Sequence, residues 1–205
     1  MVGSQFVKAV ERACEWHGGQ VRKGGGTPYI AHLLGVASLV LEARNDEELA
    51  IAALLHDAVE DQPEQASPGR IEAEFGTRVA DIVEECSDRE PGEEGTAANW
   101  RPRKEAYVAS LERASEDVLL VSCADKLHNA RALLRDLRQK REEVWTRFHE
   151  PDPAKQLWYY GALVDVFKRR IGEPQWLPDE LERAVQEIEA LSRLSGHSSE
   201  PRSAT

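Results

Sequence analysis

The chain has 205 residues, of which 41% are hydrophobic and 31% charged, a composition typical of a globular protein that can bury a sizeable core. Acidic residues outnumber basic ones by 37 to 26, and the resulting net charge of −11 argues against a general nucleic-acid binder. No apolar run approaches the roughly 18 residues of a membrane span, so neither nucleic acid nor a membrane is expected as a partner.

Helical periodicity begins near residue 4, and its predicted inward stripe consists of Phe6, Val7, Val10, Cys14 and His17. The segment GGQVRKGGGTPY then predicts a loop, because five glycines and a proline break the pattern. A second helix is predicted from about Pro28 to Ala43. Its inward face is predicted to contain Ile30, Leu33, Leu34, Ala37 and Leu41.

A third helix is expected to begin at Asn45 or Asp46 and to continue through LLHDAVED until just before Pro63. Ser67, Pro68 and Gly76 predict the start and end of the next helix. Further helices are predicted at 77–87, 100–114, 116–138, 153–172 and 178–194, with a polar, flexible segment at 88–98.

No alternating strand of useful length is present, so the predicted fold class is all-α. We expect one domain over residues 1–195 and a polar, disordered tail over 196–205. Cys14, Cys86 and Cys123 are odd in number and form no CxxC pair. Three buried, reduced thiols and a cytoplasmic location are therefore expected.

The segment AALLHDAVEDQP, residues 52–63, resembles a buried helix, yet it carries His56, Asp57, Glu60 and Asp61. Burying such groups is costly unless something compensates for it. Two more candidates lie elsewhere: His32, 24 residues before His56, and Asp125, 68 residues after Asp57. Each residue alone has an ordinary structural explanation, as a core histidine, a cap or a solvated last turn. Their joint occurrence on three helices indicates a site.

Two imidazoles and two carboxylates suit Mn²⁺ or Fe²⁺ better than a structural, thiolate-bound zinc ion. A bound metal lowers the pKa of its water and so supplies a nucleophile near neutral pH. Glu60 and Asp61 lie one helical turn beyond His56 and Asp57, where they would orient or deprotonate that water, or protonate a leaving group.

Three motifs, TPYI before His32, LLHDAVED and ADKLHN, together resemble the HD-type phosphohydrolase superfamily. More narrowly, they resemble the hydrolase domain of RelA/SpoT proteins and the stand-alone small alarmone hydrolases of the metazoan SpoT homologue type. The similarity spans roughly residues 5–135. It implies an HD-domain helical bundle and Mn²⁺-dependent removal of pyrophosphate from the 3′ position of guanosine tetra- or pentaphosphate.

The resemblance also implies roles for individual residues. The implied metal ligands are His32, His56, Asp57 and Asp125, and the acidic pair that handles water is Glu60 and Asp61. The implied substrate contacts are Arg22, Lys23 and Asn129 and, by a looser match, Arg101, Arg103 and Lys104. An arginine can stack on a purine and a lysine can bind phosphate, so these residue types suit a nucleotide.

Three hypotheses follow, in order of preference. The first is hydrolysis of the guanosine alarmone. The second keeps the metal chemistry but takes another nucleotide, such as a nucleoside monophosphate or an NADPH-type dinucleotide. The third is a non-catalytic nucleotide sensor, which would have no need of Glu60 and Asp61. The sequence does not fix an oligomeric state, and the aromatic stripe at 158–167 is expected to belong to the core.

Overall fold

A computed structural model describes residues 2–87 and 99–196 of the chain. Its helices, in chain order, are α1 Ser4–Trp16, α2 Ile30–Ala43, α3 Glu47–Leu55, α4 Ala58–Asp61, α5 Pro68–Phe75, α6 Thr77–Cys86, α7 Trp100–Leu111, α8 Glu116–Lys140, α9 Pro153–Arg170 and α10 Trp176–Gly196. A 3₁₀ helix over Arg141–Arg147 follows α8 directly. Within those residues the only β-type pairing is an isolated bridge between Val21 and Pro28, so the all-α prediction is confirmed.

The long helix α8 is the centre of the fold. It contacts α2, α3, α6, α9 and α10, and its buried residues include Leu119, Leu120, Leu127 and Leu133. Helix α3 is buried from Leu49 to Leu55 between α1, α2 and α6. Because α2, α3 and α8 pack against one another, side chains on all three reach a common point in the interior.

Local capping explains several helix starts. Asp46 accepts a hydrogen bond from the Leu49 amide and begins α3, as predicted. Ser67 likewise accepts from the Arg70 amide at the start of α5, whose first residue is Pro68. Gly76, with φ +94°, ends that helix in a backbone conformation that L side chains rarely adopt.

The predicted third helix is not continuous. It breaks at the pair His56–Asp57, which separates α3 from the single turn of α4. The imidazole Nδ1–H of His56 donates to the Ala53 carbonyl oxygen at 2.8 Å. An uninterrupted α-helix would offer that oxygen to the Asp57 amide, so the side chain engages the backbone at the break.

Two predicted inward faces are partly wrong. On α1 the buried residues are Ala9, Ala13 and Trp16, whereas Val7 and Cys14 are exposed. On α2, Leu34 is exposed. The small side chains of α1 let it pack against α3, and its buried face is therefore rotated from the stripe of larger residues. All three cysteines are free, but Cys86 is half-buried and only Cys123 is fully buried.

The segment 88–98 and residues 197–205 of the predicted tail lie outside the described residues, whereas Gly196, the first residue of that tail, belongs to α10. Across residues 2–87 and 99–196, no helix is both long enough and apolar enough to cross a membrane. In the predicted aromatic stripe of α9, Leu163 and Phe167 are buried in the core, and Tyr159 is buried as well.

Candidate functional site

The four predicted metal ligands come from three parts of the fold: His32 from α2, His56 and Asp57 from the break after α3, and Asp125 from the middle of α8. The Nε2 atom of His32 lies 3.2 Å from Asp125 Oδ1 and 3.5 Å from Asp57 Oδ2. The Nε2 atom of His56 lies 3.0 Å from Asp57 Oδ2 and 3.7 Å from Asp125 Oδ1. The four side chains therefore converge.

The geometry of the two imidazoles fits a metal ion. In the described part of the chain, neither His32 Nε2 nor His56 Nε2 has a hydrogen-bond partner of acceptable geometry, although both atoms are buried. In the neutral form of the ring, the donation from His56 Nδ1 to Ala53 leaves the lone pair on Nε2, the atom that faces the carboxylates. Ligand atoms of His32, His56 and Asp57 lie within 4.8 Å of one another, a spacing that one ion can bridge.

The electrostatics of the cluster keep both carboxylates ionised. Burial raises the pKa of Asp57, but the neighbouring His56 and His32 together outweigh burial and lower it well below the usual value. Burial also raises the pKa of Asp125, but Lys126, His32 and His56 together lower it well below the usual value. Conversely, burial lowers the pKa of His56, and the carboxylates raise it well above its usual range. The site is thus a cluster of mutually stabilised charges.

Each carboxylate of the cluster is held by further donors, and of these the sequence interpretation had assigned only Asn129, as a substrate contact. The Tyr29 hydroxyl donates to Asp57 Oδ2 at 2.6 Å. Lys126 Nζ donates to Asp125 Oδ2 at 2.6 Å, and Asn129 Nδ2 donates to Asp125 Oδ1 at 2.5 Å. Tyr29 lies three residues before His32, a spacing that brings two side chains to the same helical face and could have identified it.

The histidine of the ADKLHN motif, His128, also contacts the cluster. Its Nδ1 lies 2.9 Å from the Nδ1 of His32. Burial and the neighbouring His32 and Arg22 lower the pKa of His128 to about 4, so this imidazole is neutral near pH 7. Its position explains a glycine inside α2, because a Cβ at Gly35 would lie 2.4 Å from the His128 ring.

The predicted acidic pair lies beside the cluster. Glu60 and Asp61, both half-buried in α4, line the same cavity as the four predicted ligands. The Gln20 side chain holds Asp61 by donating to its Oδ2 at 2.8 Å. The side-chain oxygen of Gln20, Oε1, is in turn hydrogen-bonded by His17 Nδ1 and by Gln62 Nε2. These contacts fix the orientation of the Gln20 side-chain amide.

The cavity around the cluster has a volume of about 830 Å³, within the range of nucleotide-sized ligands. Eight cationic side chains in the described residues line it: Arg22, Lys23, Arg103, Lys104, Lys126, Arg135, Lys140 and Arg147. Only five carboxylates from that part of the chain line the same cavity. Cations therefore outnumber anions among these cavity residues, whereas anions outnumber cations in the chain as a whole. A positive surplus in an acidic protein favours an anionic ligand.

The predicted substrate contacts differ in their placement. Arg22 lies at the cavity wall, where its Nη2 donates to Asn129 Oδ1 at 2.5 Å, and Lys23, Arg103 and Lys104 line the cavity too. Arg101 is exposed, and its guanidinium carbon lies 3.2 Å from the centroid of the Trp158 ring. All the predicted substrate contacts except Arg101 therefore line the cavity. Arg101 packs against the Trp158 ring instead.

Comparison with known proteins identifies the family of the chain. The HD domain profile matches residues 9–152. The chain is 35% identical over 187 residues to the human guanosine-3′,5′-bis(diphosphate) 3′-pyrophosphohydrolase MESH1 and 31% identical to its mouse counterpart, covering 90% of this chain and 94% of each relative.

The match to longer relatives is partial. The chain is 38% identical over 122 residues to the bifunctional (p)ppGpp synthase/hydrolase SpoT of Escherichia coli, but it spans 16% of that protein. A solved structure, described as a metazoan ortholog of SpoT that hydrolyzes ppGpp, superposes with a TM-score of 0.69 at 27% identity, covering 91% of this chain and 97% of the other. The chain belongs to the HD domain family.

Proposed function

We propose that this protein is a Mn²⁺-dependent hydrolase that removes pyrophosphate from the 3′ position of guanosine tetra- or pentaphosphate and releases GDP or GTP. One observation carries the proposal: a buried cluster of two imidazoles and two carboxylates opens into a cavity lined by a surplus of cations. The MESH1 relatives, named for this reaction, align over nearly the whole of both chains and support the choice of substrate.

In this proposal His32, His56, Asp57 and Asp125 hold the metal. Nitrogen and oxygen donors with no thiolate suit Mn²⁺, and Fe²⁺ is the alternative ion. When bound, such an ion supplies Lewis-acid activation of water and of the phosphoryl group. The donors from Tyr29, Lys126 and Asn129 keep the two carboxylates oriented toward the imidazoles.

Glu60 and Asp61 act as the acid–base pair. Gln20 holds one Asp61 oxygen, and we assign the carboxylate the removal of a proton from the attacking water. Glu60, on the same turn, then orients the water or returns a proton to the leaving oxygen. Both side chains line the cavity of the cluster, because α4 follows the His56–Asp57 break directly.

The substrate is placed by cations that line the cavity and come from two parts of the chain. Arg22 already contacts Asn129 and lies over the Tyr29 ring, which leaves its planar guanidinium suited to stacking on a purine. We assign phosphate contacts to Lys23, Arg103 and Lys104, whose charges would offset those of the substrate. Arg101 is left out because it lies against Trp158.

The test is release of pyrophosphate from guanosine tetraphosphate by purified, Mn²⁺-loaded protein, followed by anion-exchange chromatography. Asp57→Asn is expected to abolish release, and Asp81→Asn, which changes an exposed carboxylate on α6, is the matched control. An intact substrate after incubation with Mn²⁺ or Fe²⁺ would refute the proposed reaction.

A panel of nucleoside monophosphates and NADPH tested in the same assay separates the alternatives. Faster release of phosphate from one of these compounds would transfer the proposal to that substrate. Tight binding of nucleotide without turnover in any metal would instead favour a sensor. We further propose a cytoplasmic location and a small nucleotide, rather than a nucleic acid, as the ligand, because the thiols are free and the chain is acidic.

A further inference from the structure

Two histidines lie side by side next to the cluster, one a proposed metal ligand and the other not. The Nδ1 atoms of His32 and His128 are 2.9 Å apart, and the ring centroids are separated by 4.8 Å with planes tilted by 55°. This distance is that of a hydrogen bond. Such a bond requires one ring nitrogen to carry a proton and the other to present a lone pair.

The direction of this hydrogen bond follows from the role of His32. Its Nε2 faces Asp57 and Asp125, the side from which an ion would be bound. A neutral imidazole that coordinates through Nε2 carries its proton on Nδ1. Within the described structure, the Nδ1 of His128 stands at hydrogen-bonding distance from that proton, so it must be the acceptor.

We propose that His128 is a positioning residue, which accepts the Nδ1–H of His32 and thereby fixes both the tautomer and the ring orientation that metal binding needs. This inference rests on the metal site of the proposed function. It assigns His128 no contact with the reacting atoms. Partners of this kind usually are carboxylates, backbone carbonyls or water, so a second imidazole is an uncommon choice.

The two histidine ligands are therefore supported in different ways. The Nδ1–H of His56 is held by the carbonyl oxygen of Ala53, which no substitution can remove. The Nδ1–H of His32 depends on a side chain. A substitution at position 128 should then loosen His32 and leave the orientation of His56 unchanged.

Gly35 is part of the same arrangement. It lies one turn after His32 on α2, and a Cβ there would come within 2.4 Å of both Cδ2 and Nε2 of His128. The ring fills the space that a side chain would occupy, so it cannot rotate in that direction. Alanine is a better helix former than glycine, and its absence here is explained by the position of the His128 ring.

The experiment measures the affinity for Mn²⁺ alone by isothermal titration calorimetry, with thermal unfolding as the check of folding. His128→Leu removes the acceptor at similar volume, and we expect it to weaken Mn²⁺ binding by about 10- to 100-fold. His128→Asn is the conservative variant, because its side-chain oxygen can occupy the position of Nδ1, and it should restore affinity to within about threefold of the original.

Gly35→Ala perturbs the ring from the opposite side while His128 stays in the sequence. It should weaken Mn²⁺ binding as well, without loss of helix. This variant decides the question if His128→Leu does not fold. In Co²⁺-loaded protein, we also expect the visible absorption bands to change in His128→Leu and to stay unchanged in His128→Asn.

Two outcomes would overturn the proposal and leave the proposed function standing. One is equal Mn²⁺ affinity in His128→Leu, Gly35→Ala and the original protein. The other is an equal loss in His128→Leu and His128→Asn, which would assign the residue to packing alone. Absence of metal binding by the original protein would refute the proposed metal site itself, and this inference with it.

Discussion

Replacement of Tyr29 by phenylalanine removes one hydroxyl group and keeps the aromatic ring. That hydroxyl donates to Asp57 Oδ2 at 2.6 Å from a half-buried side chain. A hydrogen bond to a charged acceptor contributes about 1.5–3 kcal/mol, and loss of a donor behind a metal ligand typically lowers metal affinity by about 10- to 100-fold. We therefore expect Tyr29→Phe to raise the Kd for Mn²⁺ by about 10- to 100-fold.

Tyr107→Phe is the matched control for this prediction. It removes another buried tyrosine hydroxyl, one that donates to Ser122 Oγ at 3.0 Å instead of to a proposed ligand. Isothermal titration calorimetry with Mn²⁺ should separate the two variants, whereas urea unfolding is expected to show a loss of stability in both, about 1.5–3 kcal/mol for Tyr29→Phe and about 1 kcal/mol for Tyr107→Phe. Unchanged or tighter Mn²⁺ binding by Tyr29→Phe would contradict the claim that this hydroxyl orients Asp57.

Three further predictions concern other parts of the molecule. Burial raises the pKa of Glu74, but hydrogen bonds from Arg12, Arg70 and Lys8 together lower it to about 2. We therefore expect Glu74→Gln to cost about 1 kcal/mol of stability above pH 5. Because the pKa of Glu74 is lower in the folded protein, the difference in stability between the original protein and Glu74→Gln should fade as the pH falls from about 4.5 toward 2. A stability difference that persists in urea unfolding at pH 2 would contradict this expectation. Leu54→Ala, at a fully buried position, should destabilise the protein by about 2–5 kcal/mol in urea unfolding; a loss below 1 kcal/mol would show that the core relaxes around it. Gln20→Leu should lower kcat for guanosine tetraphosphate about tenfold through Asp61 while Mn²⁺ affinity stays unchanged, and an unaltered kcat in steady-state kinetics would remove the orienting role from Gln20.

Helix starts and ends were predictable where one side chain decides them. Asp46 and Ser67 each cap a helix through their own oxygen, and Gly76 ends one through its backbone freedom. The break at His56–Asp57 was not predictable in this way, because apolar periodicity continues across it. At this break the His56 ring donates a hydrogen bond to the backbone, and the orientation of that side chain cannot be predicted from the sequence.

The proposed ligands could be predicted because each belongs to a short motif with its own residue types. The basic contacts were less predictable, since arginine is as common on a solvated helix as in a phosphate site. Arg101 and Arg103 are two residues apart on α7, and only the packing of Trp158 shows that the first is engaged by an aromatic ring while the second lines the cavity. The contact between Gly35 and His128 joins two helices and has no local sequence signal.

The glycine-rich loop before α2 is held by a hydrogen bond within the loop and by another from Lys140 of α8. Its Arg22 amide donates to the Thr27 carbonyl at 2.9 Å, and the Gly24 carbonyl accepts from Lys140 Nζ at 2.6 Å. Fixing a residue of a free loop costs about 1–2 kcal/mol of conformational entropy, and these contacts meet that cost during folding. A nucleotide would therefore bind a wall that is already ordered, and more of its contact energy would remain as affinity.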